Sequence, residues 1–195
     1  MPRQVDREAR REQILGAAVR VFARQGYAAS RIEDIAREAG VAKGSVYLSF
    51  GSREELLRAA FDGLADRSGA LLAEVGRHPG GPAERLAFLV RAAMELLEGE
   101  RDLARVLLDV WSAGARRPAW IDMAGFYREY RAVVAGLLEE RDARAAAAPA
   151  VAPSAHATVL VGAIEGCVLQ WLFDPEVELG PLVEPLVTLL VPPRA

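Results

Sequence analysis

A chain of 195 residues, 52% of them hydrophobic, can bury a core as one domain or as a small domain joined to a larger one. Its apolar runs are interrupted by charges or breakers and its opening MPRQVDREARREQ lacks the apolar run of a secretory signal, so no membrane span and a cytoplasmic location are expected. The single cysteine excludes an internal disulfide, and the net charge of −3 divides unevenly: residues 1–60 carry eleven basic against eight acidic residues, a basic end suited to a polyanion on an otherwise acidic chain.

Apolar residues recur at helical spacing along the whole chain, and no sustained alternation of apolar and polar residues marks a strand. The expected fold is all-α, with about nine helices. In the first segment, REARREQILGAAVRVFARQGY, Ile14, Ala18, Val21 and Phe22 share one face, and Gly26 is a natural stop. The second, SRIEDIAREAG, opens on Ser30 and Glu33, the spacing of a capping box. Its stripe is Ile32, Ile35, Ala36 and Ala39, and Gly40 ends it. A third, AKGSVYLSF, is about two turns long and ends at Gly51. Ser52 and Glu55 form a second capping box, opening SREELLRAAFDGLADRSGALLAEV.

Beyond the loop HPGGP, Pro82 suits the first turn of a helix reaching about Glu98. Helices are then expected near 101–113, at 117–145 from Arg117–Pro118, from a Ser154 cap to Phe173, and near 181–191. Asp174–Pro175 closes the third of these, and Pro185 implies a late start or a kink in the last.

A tight turn between the second and third short helices forms a helix-turn-helix arrangement. Val46 and Phe50, four apart, anchor the third helix inward; Lys43, Ser45, Tyr47 and Ser49 then point outward. Lys43 suits a phosphate, and Ser45 and Tyr47 suit a phosphate or a base edge. Helix starts near Ser30 and Ser52 present backbone N–H groups to phosphate.

The residues at this spacing say more than the spacing. ILGAAVRVFARQGY followed by SRIEDIAREAGVAKGSVYLSFGSREELLRAA resembles the DNA-binding region of the tetracycline-repressor (TetR) family over residues 14–59. The match rests on Ile35, Ala36, Ala39, Gly40, Val41, Lys43, Gly44, Val46, Tyr47, Phe50, Ser52, Glu54 and Leu56. The chain departs from the family pattern in three places. Ala42 replaces a common capping Ser, Leu48 and Ser49 replace aromatic or His residues, and Arg53 replaces a Lys. The resemblance implies that Lys43, Ser45, Tyr47 and Arg53 lie at DNA; with Ser30, Arg31, Gly44 and Ser49 they make the expected contact set. It also implies a helix-turn-helix domain over 1–51 and a connector helix from 52. An effector-binding and dimerisation domain then spans 52–195.

Phe88, Met94, Trp111, Trp120, Met123, Phe126, Tyr127 and Trp171 are large side chains spread over the C-terminal helices. Each is either ordinary core or the lining of an effector cavity. Glu165 interrupts an apolar helix and, if buried, needs a partner: an arginine, or a cationic or hydroxylated ligand. Glu165 and all of these aromatics and methionines but Trp120 form the candidate ligand set. Gly162 and Gly166, with Leu169, Leu172, Leu182, Leu186 and Leu189, are the candidate dimer seam. His78 reads as a solvated loop residue, His156 as a surface residue and Cys167 as a small buried apolar one.

No residues stand at metal-ligand spacing, and neither a nucleophile elbow nor a phosphate-cradling glycine loop is present, so no metal, cofactor or enzymatic activity is expected. The expected partners are double-stranded operator DNA with an inverted repeat, a second copy of the chain, and a small apolar or amphipathic effector that releases a repressor. The alternative is a helix-turn-helix regulator without a small-molecule effector, controlled by a protein partner.

Overall fold

The computed structural model describes residues 2–112, 120–144 and 151–190, and nine α-helices are its regular structure among them. In chain order these are α1 (Pro2–Gln25), α2 (Ile32–Glu38), α3 (Lys43–Ser49), α4 (Arg53–Arg77), α5 (Pro82–Gly99), α6 (Arg101–Ser112), α7 (Met123–Arg144), α8 (Pro153–Phe173) and, after a 3-10 turn at Gly180–Leu182, α9 (Val183–Leu190). They sort into two compact units, residues 1–64 with 100–121 and residues 65–99 with 122–195.

In the first unit, α1 packs against α2, α3 and α6. The stripe read from the sequence is its core: Ile14, Ala18, Val21 and Phe22 of α1 and Ile35 of α2 are essentially inaccessible to solvent. α6 adds Leu103, Val106 and Val110 to the buried set. Gly26 and Gly40 end α1 and α2 with φ of 78° and 64°. A side chain there would be strained, which is why glycine closes both helices.

In this unit one expected helix cap is absent and a second forms with one altered bond. The Ser30 hydroxyl does not cap α2; it is buried and donates back to the Gly26 carbonyl at 2.7 Å, so Arg31 occupies the cap position with no side-chain bond. At α4 the capping box forms in a shifted way. Ser52 Oγ accepts the Glu55 N–H at 3.1 Å, while the Glu55 carboxylate accepts the Gly51 N–H at 2.7 Å rather than that of Ser52.

In the second unit, α7 packs on α8 and α5, and α9 on α5 and α8. Leu86, Leu89, Val90, Met94, Val134, Leu138 and Leu160 are buried there. Pro82 opens α5 as expected. The long helix begins at Met123, because the Asp122 side chain accepts the Gly125 N–H at 2.7 Å and so caps it; residues 113–119, where an earlier start was expected, lie outside the described residues. α8 starts at Pro153, not at a Ser154 cap, since proline's missing donor costs nothing in a first turn. The same reason settles Pro185, which sits in the first turn of α9, a helix that starts late, at Val183. By length and composition alone, α8 is also long and apolar enough to cross a membrane.

Candidate nucleic-acid interface

α3 is seven residues long, too short to be stable alone, and Ala42 at its cap gives it no side-chain bond. Two side chains hold it. Val46 is fully buried, and Phe50, immediately after the helix, is 1% exposed. Arg11 of α1 fastens the same end: its guanidinium lies 4.0 Å from the Phe50 ring centre and its Nη1 donates to the Ser49 carbonyl at 2.6 Å. Gln13 of α1 donates to the Ala39 carbonyl at 2.8 Å and so holds the turn that precedes α3.

With Val46 and Phe50 inward, the opposite face is open. Lys43, Gly44 and Leu48 are exposed, and half of the Tyr47 surface reaches solvent. Lys43 Nζ pairs with the Glu33 carboxylate of α2 at 2.5 Å and lies 5.8 Å from the Tyr47 ring centre. The pair holds the Glu33 carboxyl below its ordinary range and the Lys43 ammonium above its own, chiefly through that hydrogen bond. Ser45 and Ser49 are only partly exposed, and Ser49 Oγ donates to the Ser45 carbonyl one turn back.

The other expected DNA contacts fall differently. Arg31 is exposed at the start of α2. Ser30 is buried, so its hydroxyl is unavailable to a phosphate. Arg53 is a strap rather than an outward cation: Nη1 donates to the Tyr27 carbonyl at 3.0 Å, to Ala28 at 3.2 Å and to Ser30, and the guanidinium lies 5.3 Å from the Tyr27 ring centre. These bonds close the α1–α2 loop onto the start of α4. From α6, Asp109 accepts the Tyr27 N–H at 3.1 Å on the same loop. Burial pushes the Tyr27 hydroxyl above its usual range, against the opposing pull of Arg53. Sequence reasoning missed Arg11, Gln13 and Asp109, whose partners lie 38, 26 and 82 residues away.

In the second unit, Met94 and Trp171 are buried, while Met123, Phe126 and Tyr127 are half-buried. Phe126 stands 5.7 Å from the Tyr127 ring and 5.3 Å from that of Tyr130. Burial, then the Glu165 carboxylate beside it, raises the Tyr127 hydroxyl above the ordinary phenol range. Glu165 itself is half-buried on α8. Phe88 stacks on His78 at 4.7 Å, and His78 Nδ1 accepts the Gly80 N–H at 3.2 Å, so this histidine is built into the loop rather than simply solvated. The Trp111 side chain lies outside the described residues.

The candidate seam divides as well. Leu186 is 7% exposed and belongs to the chain's own core, where α9 packs on α5 and α8. Leu189 and, unforeseen, Val159 and Phe173 are exposed. Leu169, Leu172 and Leu182 are half-buried, and a Cβ added at Gly162 or Gly166 would meet nothing within 4 Å.

Residues 14–60 match the model for bacterial regulatory proteins of the tetR family, and residues 82–183 match that for the C-terminal region of BetI-type transcriptional repressors. The second match alone covers more than half of the chain. This protein belongs to the TetR family. Among its TetR relatives, the fatty acid metabolism regulator protein of Bacillus subtilis is 35% identical over 94 residues, 48% of each chain; the match therefore spans about half of that relative's length. The nicotine-responsive repressor HdnoR of Paenarthrobacter nicotinovorans is 27% identical over 173 residues, 85% of each chain. The structure of FadR from Bacillus subtilis in complex with stearoyl-CoA is similar with a TM-score of 0.72 at 25% identity, covering 94% of this chain and 99% of that one.

Proposed function

We propose that this TetR-family regulator is a homodimeric repressor whose α3 helices enter successive major grooves of an inverted-repeat operator. The observation that carries the reading is the polarity of α3: Val46 and Phe50 buried, with Lys43, Gly44 and Tyr47 exposed on the opposite side. A helix held from behind, with an amine and a phenol open in front, is what groove reading requires. Arg31 and the partly exposed Ser45 and Ser49 flank that face. Residues 1–51 form the DNA-binding domain, and residues 52–195, entered through α4, bind effector and partner copy. Val159, Gly162, Gly166, Leu169, Phe173 and Leu189, on α8 and α9, form the dimer seam; its apolar exposure supports this assignment.

The effector is a small apolar or amphipathic molecule held among Phe126, Tyr127 and Glu165. It needs only to bind the state that mismatches the operator better than the state that fits it. A similar structure solved in complex with stearoyl-CoA and a relative described as nicotine-responsive make long-chain acyl-CoAs and hydrophobic amines the first compounds to test.

Selection from a random duplex library by the purified protein should return a two-fold symmetric sequence. An effector at about a hundred times its Kd should raise the melting temperature by about 5–10 °C and release the selected duplex. Selected sequences without symmetry would refute the dimeric reader. No stabilisation by acyl-CoAs, amines or aromatic acids would favour control by a protein partner.

A further inference from the structure

Leu48 is 91% exposed, on a helix whose other exposed residues are Lys43, Gly44 and Tyr47. An apolar side chain in that place does nothing for the free protein. Val46 and Phe50 already anchor α3, and Leu48 lies out of register with both. Gly44, one turn before Leu48 on the same face, is equally unexplained. Its φ is not among the positive ones, and a Cβ built on it would meet nothing within 4 Å. A helical glycine with neither a conformational nor a packing reason weakens the helix that contains it. The chain therefore keeps a bare patch of backbone beside a projecting isobutyl group, flanked by an amine and a phenol, and neither half serves its own fold.

A partner surface that matches this patch must be polar at its edges, accessible to a helix, and must carry a small apolar projection. The major groove has one such group, the 5-methyl of thymine, and an apolar side chain is the residue type that meets it. We infer that Leu48 is a specificity-determining residue that packs on a thymine methyl in each half-site, with Gly44 leaving room for the base edge beside it. The inference rests on the proposed reading of α3 as the groove-entering helix and adds the base that this helix selects. It predicts a T·A pair at one fixed position of each half-site, recognised by shape and burial rather than by a hydrogen bond.

The test uses the full-length protein and the duplex selected from a random library. Each thymine of the half-site is replaced in turn by deoxyuridine, which removes the methyl and leaves the pairing intact. For the wild-type protein, one position should weaken binding about fourfold per half-site, and about fifteenfold when both half-sites are changed. Leu48→Ala should bind the thymine duplex with a loss at least that large and show no further loss on the uridine duplex. Because the side chain is exposed, its removal leaves the fold intact, which circular dichroism and the thermal melt check. A loss relative to wild type that is as large on the uridine duplex as on the thymine duplex, so that uridine sensitivity persists in Leu48→Ala, overturns the inference. Unchanged affinity in both comparisons overturns it too. Failure of the wild-type protein to select any duplex defeats the repressor reading itself, a different result from selection of a duplex indifferent to uridine.

Discussion

Arg53→Ala should lower the melting temperature by about 4–16 °C. The arginine's Nη1 donates to the carbonyls of Tyr27, Ala28 and Ser30, and its guanidinium faces the Tyr27 ring. Removing a charged donor from such acceptors costs about 1.5–3 kcal/mol, and the lost cation–π contact adds about 0.5–1 kcal/mol; in a chain of this size each kcal/mol lowers the midpoint by about 2–4 °C. The α1–α2 loop that sets the entry of α2 would loosen, so operator affinity should fall as well. Arg53→Lys should recover only part of the stability, because an ammonium lacks the flat guanidinium that faces the Tyr27 ring. The resemblance to the family implies a different role, a phosphate contact. If that were the whole role, Arg53→Ala would melt at the wild-type temperature and differ only in the salt dependence of DNA binding.

Tyr47→Ala should weaken operator binding about tenfold per half-site, near a hundredfold for a dimer engaging both, with no change in helicity. Half of the Tyr47 surface is solvent-exposed, so its loss takes little from the core. Lys43→Ala should act through charge. The slope of log affinity against log salt should fall by about one for each subunit, and sequence preference should stay the same. In the free protein Lys43 is paired with Glu33, so it must exchange a carboxylate for a phosphate on binding. Glu33→Gln should accordingly bind DNA more tightly than wild type at low salt, by removing both the competitor and a negative charge facing the backbone. Anisotropy titrations over a salt series measure all three variants. An unaltered salt slope in Lys43→Ala would remove that residue from the phosphate contacts.

Much of the fold is local and therefore legible in the sequence. Gly26 and Gly40 mark helix ends because their backbone enters a region that other residues avoid, and both take positive φ. Val46 and Phe50 declare the buried side of α3 by their spacing alone. What the sequence hides is decided at long range. Ser30 and Glu33 have capping-box spacing, yet the Ser30 hydroxyl finds the Gly26 carbonyl instead, and the choice depends on where Gly26 turns the chain. Nothing in the pattern of residues 101–112 announces that α6 packs on α1 and that Asp109 holds the Tyr27 amide.

The candidate site shows the same division. The outward placement of Lys43 and Tyr47 follows from helix geometry, whereas the engagement of Arg53 with three loop carbonyls follows from the loop's path. Leu186 and Leu189 fit one apolar pattern and separate only when α9 meets α5 and α8, which bury the first and leave the second exposed.

In the proposed complex two copies of α3 read one duplex with the face that carries Lys43 and Tyr47. Hydroxyl-radical footprinting on the selected operator tests it most directly. Two protected patches are expected, related by a two-fold axis and one or more helical turns apart (about 34 Å per turn), both lost with Tyr47→Ala under conditions where its melt matches wild type. A single unsymmetric patch, or full protection by the folded variant, would contradict it.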